Sequence, residues 1–393
     1  VQTPVLAAIS RRYRERENHI SSDSWPIYIS LQKDGILFKM RRTQDLPDKE
    51  SATMFFQDCK LAHQAQITGI SHSVKEILPP DLLDLTQLQK EANIRYGFTA
   101  SEVYDIAQSL YEKKLISYPR TSSRYLTEDV LDSLSPIMAR LLSWELFPAA
   151  KGTGGIDISS LSRHVINAEK ANVHHAIIIT GIRPGNMSEK EMQVYRLVAG
   201  RMLETFMAPC RIETTNVEAV CAAQHFKAEQ TRIIEAGWHD VFMRSDMVPK
   251  SGYSVNELPE VEKSDTLNVC GCNMVHKKQL PVNPFTDAEL VEYMEQNGLG
   301  TVSSRTNIIR TLVNRKYIRY SGKYIVPTPK GMFTYETIRG KKIADTSLTA
   351  DWEKQLAGLE SGMITGQDFL NRIRTLAKEM TDDIFNTYST KEE

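Results

Sequence analysis

The chain has 393 residues, 25% charged and 41% hydrophobic, an ordinary composition for a globular protein of about two to four domains. A net charge of −1, from 48 basic and 49 acidic residues, excludes a globally basic nucleic-acid coat, so anion binding must rest on local clusters. No apolar run approaches the roughly 18 residues that span a bilayer, and no secretory signal is visible, so a cytoplasmic protein without a membrane anchor is expected.

In chain order, "VQTPVLAAIS" starts without methionine and reads as mid-helix, as an excerpt of a longer protein would. Residues 24–75 read mainly as strands, with "WPIYISLQKDGILFKM" alternating around a Lys-Asp-Gly hairpin turn. Pro79-Pro80 breaks this pattern, and Thr86 with Gln89 reads as a capping box for a helix that Gly97 ends. "FTASEV" then places Thr99 as N-cap, Glu102 as its partner and Phe98 with Val103 as a staple. The helix carries Val103, Ile106, Ala107 and Leu110 on one face and should stop near Lys114, because Pro119 disfavours helix at Tyr118. Another helix begins after Thr127, with Val130, Leu131, Leu134, Ile137 and Met138 together. A second β-rich stretch spans 210–275, so one β-rich domain interrupted by a helical insertion is the economical reading. The five cysteines are scattered, as in a reducing compartment. Cys270 and Cys272, without a second pair at ligand spacing, read as small strand residues.

"FTDAELVEYM" repeats the capping pattern with Thr286, Glu289 and Phe285, and suggests a module related to the first. A "GLGTVSS" loop, a helix with Ile308, Ile309, Leu312 and Val313, and the "KYIRYSGKYIV" hairpin complete a winged helix-turn-helix outline. No Asp or Glu occurs from Gln296 to Tyr335, where Arg305, Arg310, Arg315, Lys316, Arg319, Lys323 and Lys330 fall. That run reads equally as a solvated basic face or as a phosphate-contacting one.

"LISYPRTSSRYL", residues 115–126, places Tyr118 among cations and hydroxyls on an extended connector between helices. A free phenol titrates near pH 10 and is a weak nucleophile, but cations such as Arg120 favour the phenolate and neutralise an attacked phosphate. Taken alone, the stretch also reads as a polar turn carrying an aromatic. No nucleotide-cradling P-loop is present, so ATP-driven transfer is not suggested. His174 and His175 are successive and do not face the same way, which argues against a two-histidine metal site.

Read together, these segments resemble the type IA DNA topoisomerases. The stretch from Leu83 to Leu126 resembles the family's catalytic-tyrosine segment. "HHAII" at 174–178, "GLGTVSSRTNIIRTLVNRKYI" at 298–318, "LTADWEKQLAGLESG" at 348–362 and "VQTP" at 1–4 resemble four further motifs, in family order. The Tyr-Pro-Arg and His-His forms lean toward the topoisomerase III branch. The resemblance implies an α+β, multidomain toroid with a β-rich arch and winged-helix-like modules. On that pattern, residues 1–20 end a DNA-contacting helical domain, 21–97 and 201–283 form the arch, 98–200 carry the tyrosine, and 284–393 form a winged-helix-like DNA-binding domain. Tyr118 would attack a DNA phosphodiester to give a 5′-phosphotyrosine, and Arg120 would stabilise the transition state. Gln2, Thr121, Ser123, His174, Gly300, Thr301, Ser304 and Arg305 would contact DNA. Ser122, Val173 and Ile179 stand where relatives carry two acids and a proline, and Ser304 stands where they carry threonine.

The resemblance further implies magnesium held by an N-terminal Toprim domain that this chain lacks, no metal in the chain itself, and no relaxation by the fragment alone. It implies single-stranded and negatively supercoiled DNA as partners, a monomer, a helicase partner, and a place in the bacterial cytoplasm at the nucleoid. The alternatives are a non-enzymatic winged-helix DNA-binding protein and a tyrosine recombinase, whose link to DNA would be a 3′-phosphotyrosine.

Overall fold

The computed structural model describes residues 1–144, 146–147, 165–167, 171, 174–243 and 249–389; Val173 and the side chain of Leu131 lie outside the described residues. Helix α1 (Gln2–Glu17) leads into strand β1 (Asp23–Ser24) and the hairpin of β2 (Ile27–Lys33) and β3 (Ile36–Arg42). Asp34 and Gly35 both take positive φ, as a two-residue hairpin turn of this twist requires. The stretch 24–75 is mainly strand, interrupted by one helix that the alternation did not show, α2 (Lys49–Leu61). Asp48 caps it by accepting from the Ser51 N–H at 2.7 Å, and α2 buries Ala52 and Cys59 against the sheet.

Strand β4 (Gln64–Ile77) follows, and β5 (Cys210–Cys221), β6 (Gln224–Glu235) and β7 (Thr266–Met274) arrive after the helical segment. They close a barrel in the order β2-β3-β6-β5-β4-β7, filled by Ile27, Ile29, Leu31, Phe38, Met40, Ile67, Val217 and Phe226. β4, β5 and β6 continue beyond the barrel as a ribbon whose β4 residues from His72 to Glu76 are exposed. The ribbon's far end enters a second core: Cys210 and Ile212 pack there beside Trp238, whose Nε1 donates to Ile77 O at 2.9 Å. Gly237 (φ +52) makes the turn that allows this, since a Cβ there would meet Pro209 O at 2.3 Å.

The second core joins α3 (Leu85–Tyr96), α4 (Ala100–Glu112), α5 (Glu128–Ser143) and α6 (Glu189–Thr205). α3 therefore packs with the tyrosine-bearing helices although its sequence adjoins the β-rich stretch. Its cap is Asp84, which accepts from Gln87 N–H at 2.7 Å, and not Thr86. Thr86 and Gln89 are buried, and tertiary partners use them: Thr86 donates to Glu295, while Gln89 donates to Ala100 O and Thr306, both at 2.9 Å. The boxes at Thr99/Glu102 and Thr286/Glu289 form as expected, and Gly97 (φ +71) ends α3.

The third core combines Val5, Leu6 and Ile9 of α1 with α7 (Asp287–Gln296), α8 (Val302–Asn314) and a sheet in the order β10-β11-β9. These strands are β9 (Phe285–Thr286), β10 (Ile318–Ser321) and β11 (Tyr324–Pro327), so the wing is tied to the strand that starts α7. α9 (Pro329–Ile338), α10 (Thr346–Glu360) and α11 (Gly366–Ser389) complete an α+β architecture. None of the described helices is long and apolar enough to cross a membrane.

Modules two and three meet through polar groups. Lys90 pairs with Glu292 at 2.8 Å and Arg310 with Asp105 at 2.8 Å. At the centre Asp287, 2% exposed, accepts from Ala100 N–H at 3.2 Å and from the Tyr320 hydroxyl at 3.1 Å. Burial raises its carboxyl to about 6, and the charge of Glu102 adds to the rise.

Two predictions follow from this packing. The β5–β6 turn holds Ala222 and Ala223 at positive φ (48° and 59°), which costs a non-glycine residue about 1–2 kcal/mol. Replacing the pair by Asn-Gly should raise the thermal unfolding midpoint, corresponding to about 1 kcal/mol. For Asp287 the folded-state carboxyl binds its proton more tightly than an unfolded one, near 3.9. Its burial penalty is therefore complete above pH 6 and relieved as pH falls toward 4. Asp287→Asn retains the accepting Oδ1 and should add on the order of 1 kcal/mol at pH 7.5 while flattening the stability profile between pH 4 and 6. Unfolding midpoints measured across that range check the sign.

Candidate active site

α4 is the platform. Lys114 takes a left-handed φ of 60° after the last turn, and Leu115 N–H donates back to Leu110 O at 2.9 Å, so the chain leaves the helix sharply. Pro119 keeps Tyr118 extended. The connector from Leu115 to Leu126 is then stitched to residues 174–180. Ser117 N–H donates to Ile178 O at 2.8 Å, Thr180 N–H to Leu115 O at 3.1 Å, and Ala176 N–H to Tyr125 O at 2.9 Å. Ser117 Oγ joins both strands, donating to Ala176 O at 3.1 Å and accepting from Ile178 N–H at 3.0 Å. Thr121 Oγ1 donates to His174 O at 2.8 Å and accepts from Ser123 N–H at 3.0 Å.

This stitching sets the exposed His174 ring against the half-buried Tyr118 ring, centroid to centroid 4.5 Å. Tyr111 closes the other side edge-on at 5.4 Å. Arg120 lies over the Tyr104 ring at 5.1 Å and donates to Gln108 Oε1 at 3.3 Å, while its buried Nε has no hydrogen-bond partner among the described residues. Tyr104 and Gln108 went unread in the sequence, yet with Tyr111, which was read only as a neighbour of the helix's apolar face, they share the i, i+4, i+7 spacing of one face of α4. His175 is turned away, its Nδ1 2.7 Å from Ala176 O.

The other anticipated residues divide. Thr121 and Ser123 are buried in the connector's own bonding, whereas Ser122 is exposed. Ile179 uses its N–H on Met202 Sδ at 3.2 Å. Gly300 (φ +76) turns the chain into α8, where a Cβ would meet Ser304 Oγ at 2.8 Å; Thr301 N–H donates to that same Oγ at 2.8 Å. Gln2 accepts from Arg315 at 3.3 Å, on the α8 side. Arg305, 8% exposed, donates to Thr86 Oγ1 at 3.1 Å and pairs with Glu295 at 3.4 Å. Arg124 also reaches Glu295, at 4.0 Å, and binds Asp84 at 2.7 Å, so the α8 start and the tyrosine connector share one carboxylate.

The basic run is thus partly neutralised by acids from elsewhere in the chain. Another basic cleft, of about 1090 Å³, is lined by Arg11, Arg14, Arg339, Lys341 and Lys342 between α1 and residues 339–346. Its sequence signal was the "RRYRER" stretch at 11–16. Below the platform, Lys113 and Ser109 bond Glu191 at 2.5 and 2.7 Å, and the Lys113 ammonium foremost holds that carboxyl down at about 2. Among the described residues, no three His, Cys, Asp or Glu side chains could hold a metal ion.

The geometry has counterparts. A profile of the family described as DNA topoisomerase matches residues 1–371. DNA topoisomerase 3 of Bacillus licheniformis is 30% identical over 409 aligned residues, covering 98% of this chain and 56% of that protein. DNA topoisomerase 1 of Methanocaldococcus jannaschii is 29% identical, covering 100% of this chain and 50% of its own length. The structure of full-length topoisomerase I from Thermotoga maritima shares the fold with a TM-score of 0.74 at 22% identity, over 96% of this chain and 62% of that one. The chain spans about half the length of the curated relatives it matches. The chain therefore belongs to the DNA topoisomerase family, in the type IA class.

Proposed function

We propose that this chain carries the tyrosine half of a DNA strand-passing site. Tyr118 Oη attacks a phosphodiester of single-stranded DNA, the bond from phosphorus to the 3′ oxygen breaks, and the strand is left as a 5′-phosphotyrosine with a free 3′-hydroxyl. The same hydroxyl later reverses the step. One phosphate ester replaces another, so no ATP is required. The observation that carries this reading is the fixed Tyr118 phenol, held between His174 and Tyr111 with the Arg120 guanidinium two residues on. Arg120 supplies charge to the pentacoordinate phosphorus, and His174, exposed beside the phenol, binds the phosphate. The N-terminal turn of α8, with Gly300, Thr301 and Ser304, is suited to a neighbouring phosphate because the positive end of the helix dipole lies there.

Passing a strand requires the tyrosine module to part from the winged module, and a polar seam such as Lys90–Glu292 and Arg310–Asp105 separates into water with a smaller penalty than an apolar core. Magnesium would be held by sequence that the relatives have beyond the matched span. No step here is assigned to it. Single-stranded and negatively supercoiled DNA are the proposed substrates.

The test uses the full-length protein containing this chain, magnesium and an end-labelled single strand, denatured during turnover. The expected product is a covalent adduct on the 5′ phosphate that disappears in Tyr118→Phe, with Arg120→Ala slowing its formation by about 10²–10³-fold. No adduct would favour a non-enzymatic winged-helix binder, and a 3′ linkage would favour a recombinase. The 393-residue chain by itself should leave a supercoiled plasmid unrelaxed.

A further inference from the structure

Three of the five cysteines, distant in sequence, meet beneath the helix that covers the barrel. Cys59 near the end of α2 is 0% exposed, Cys221 at the end of β5 is 1% exposed, and Cys272 on β7 is partly exposed. Cys59 and Cys221 belong to the barrel core, Cys272 packs against it, and all are free thiols. Cys272 Sγ lies 4.0 Å from Phe56 O, one turn before Cys59 on the same helix, so Cys272 packs on the side of α2 that carries Cys59, and Cys221 is buried in the same core. Cys270, two residues away, is the extra residue of a β-bulge, where Ser30 pairs with Gly271 but Leu31 with Val269, and it is exposed.

A single buried cysteine is adequately explained as a small apolar filler. Three thiols brought together from a helix and two strands, one of them open to solvent, form a nucleophilic cluster for which packing requires no mutual contact. We propose that Cys272 and Cys59 form a peroxide-sensitive thiol pair that closes a reversible disulfide between α2 and β7. The roles are unequal. The hydrogen bond from Cys59 lowers the Cys272 thiol below its ordinary range and favours the attacking thiolate there. Contact with Cys221 lowers the Cys59 thiol, but contact with Cys272 and burial outweigh it and push it up to about 12, which keeps a proton on the resolving thiol. Contact with Cys59, together with burial, raises Cys221, the least reactive of the three.

The chemistry balances with hydrogen peroxide as oxidant. The Cys272 thiolate attacks one peroxide oxygen, the O–O bond breaks, hydroxide leaves, and a sulfenic acid remains. Cys59 sulfur then attacks Cys272 sulfur, the S–O bond breaks, and the hydroxyl departs as water with the Cys59 proton. The two thiols supply the two electrons that reduce the peroxide, and exchange with a small dithiol restores both. This pair is independent of Tyr118 and of the proposed strand passage.

The experiment treats the folded chain with hydrogen peroxide, blocks residual thiols after denaturation, and maps the peptides without reductant. The expected result is a Cys59–Cys272 linked peptide, a loss of two thiols, and reversal by dithiothreitol. Cys270→Ser should leave the linkage intact, whereas Cys272→Ser should abolish it. Recovery of both Cys59 and Cys272 as free thiols, oxidation confined to Cys270, or a Cys59–Cys221 linkage that persists in Cys272→Ser would each overturn the proposal. The wild-type map decides the matter even if a variant fails to fold.

Discussion

Two extended segments that are far apart in sequence, residues 115–126 and 174–180, hydrogen-bond to each other inside a helical module, and the placement of Tyr118 depends on that pairing. Each buried backbone group in the pair would cost about 1–3 kcal/mol if left unpaired. The connector therefore has little freedom to drift, although neither segment belongs to a long strand. Leu83 O accepts from Ile177 N–H at 2.8 Å and Thr121 O from Leu85 N–H at 3.1 Å, so the start of α3 is locked into the same arrangement. Through Asp84, Arg124 and Glu295 the restraint reaches the winged module as well.

The molecule separates two kinds of contact. Inside each module the packing is apolar, as around Leu88, Leu110, Tyr195 and Phe206, whereas the seam between the tyrosine module and the winged module is built mainly from ions, amides and hydroxyls. The buried members of that seam are costly when unpaired: burial disfavours the Arg305 charge, and Glu295 and Thr86 compensate it. The ribbon of β4, β5 and β6 links the barrel to the tyrosine module by continuous backbone pairing, which lets the barrel hold the module at a distance without sharing its core.

Much of the local structure was legible. The capping boxes at Thr99 and Thr286, the Asp34-Gly35 turn, the helix end at Gly97 and the wing after α8 all depend on residues within a few positions of each other. Errors arose where distant partners competed. Thr86 and Gln89 match a capping box, but Asp84 takes the cap because buried Thr306, Ala100 and Glu295 claim their side chains. The acid-free stretch from Gln296 to Tyr335 promised an uncompensated basic face, but Glu295, immediately before it, and Asp105, from another module, meet Arg305 and Arg310.

What the sequence determined by itself was the set of elements and the candidate nucleophile: Pro119 keeps Tyr118 out of a helix, and the ordered motifs point to DNA phosphate as its target. Only the tertiary structure decided the company Tyr118 keeps. His174 reaches it across 55 intervening positions of chain through backbone bonds that no local pattern encodes, and three cysteines pack in one core only because strands far apart in sequence close one barrel. Local rules act over one or two turns of chain, whereas charge neutralisation and ring contacts are settled by whichever surfaces burial forces together.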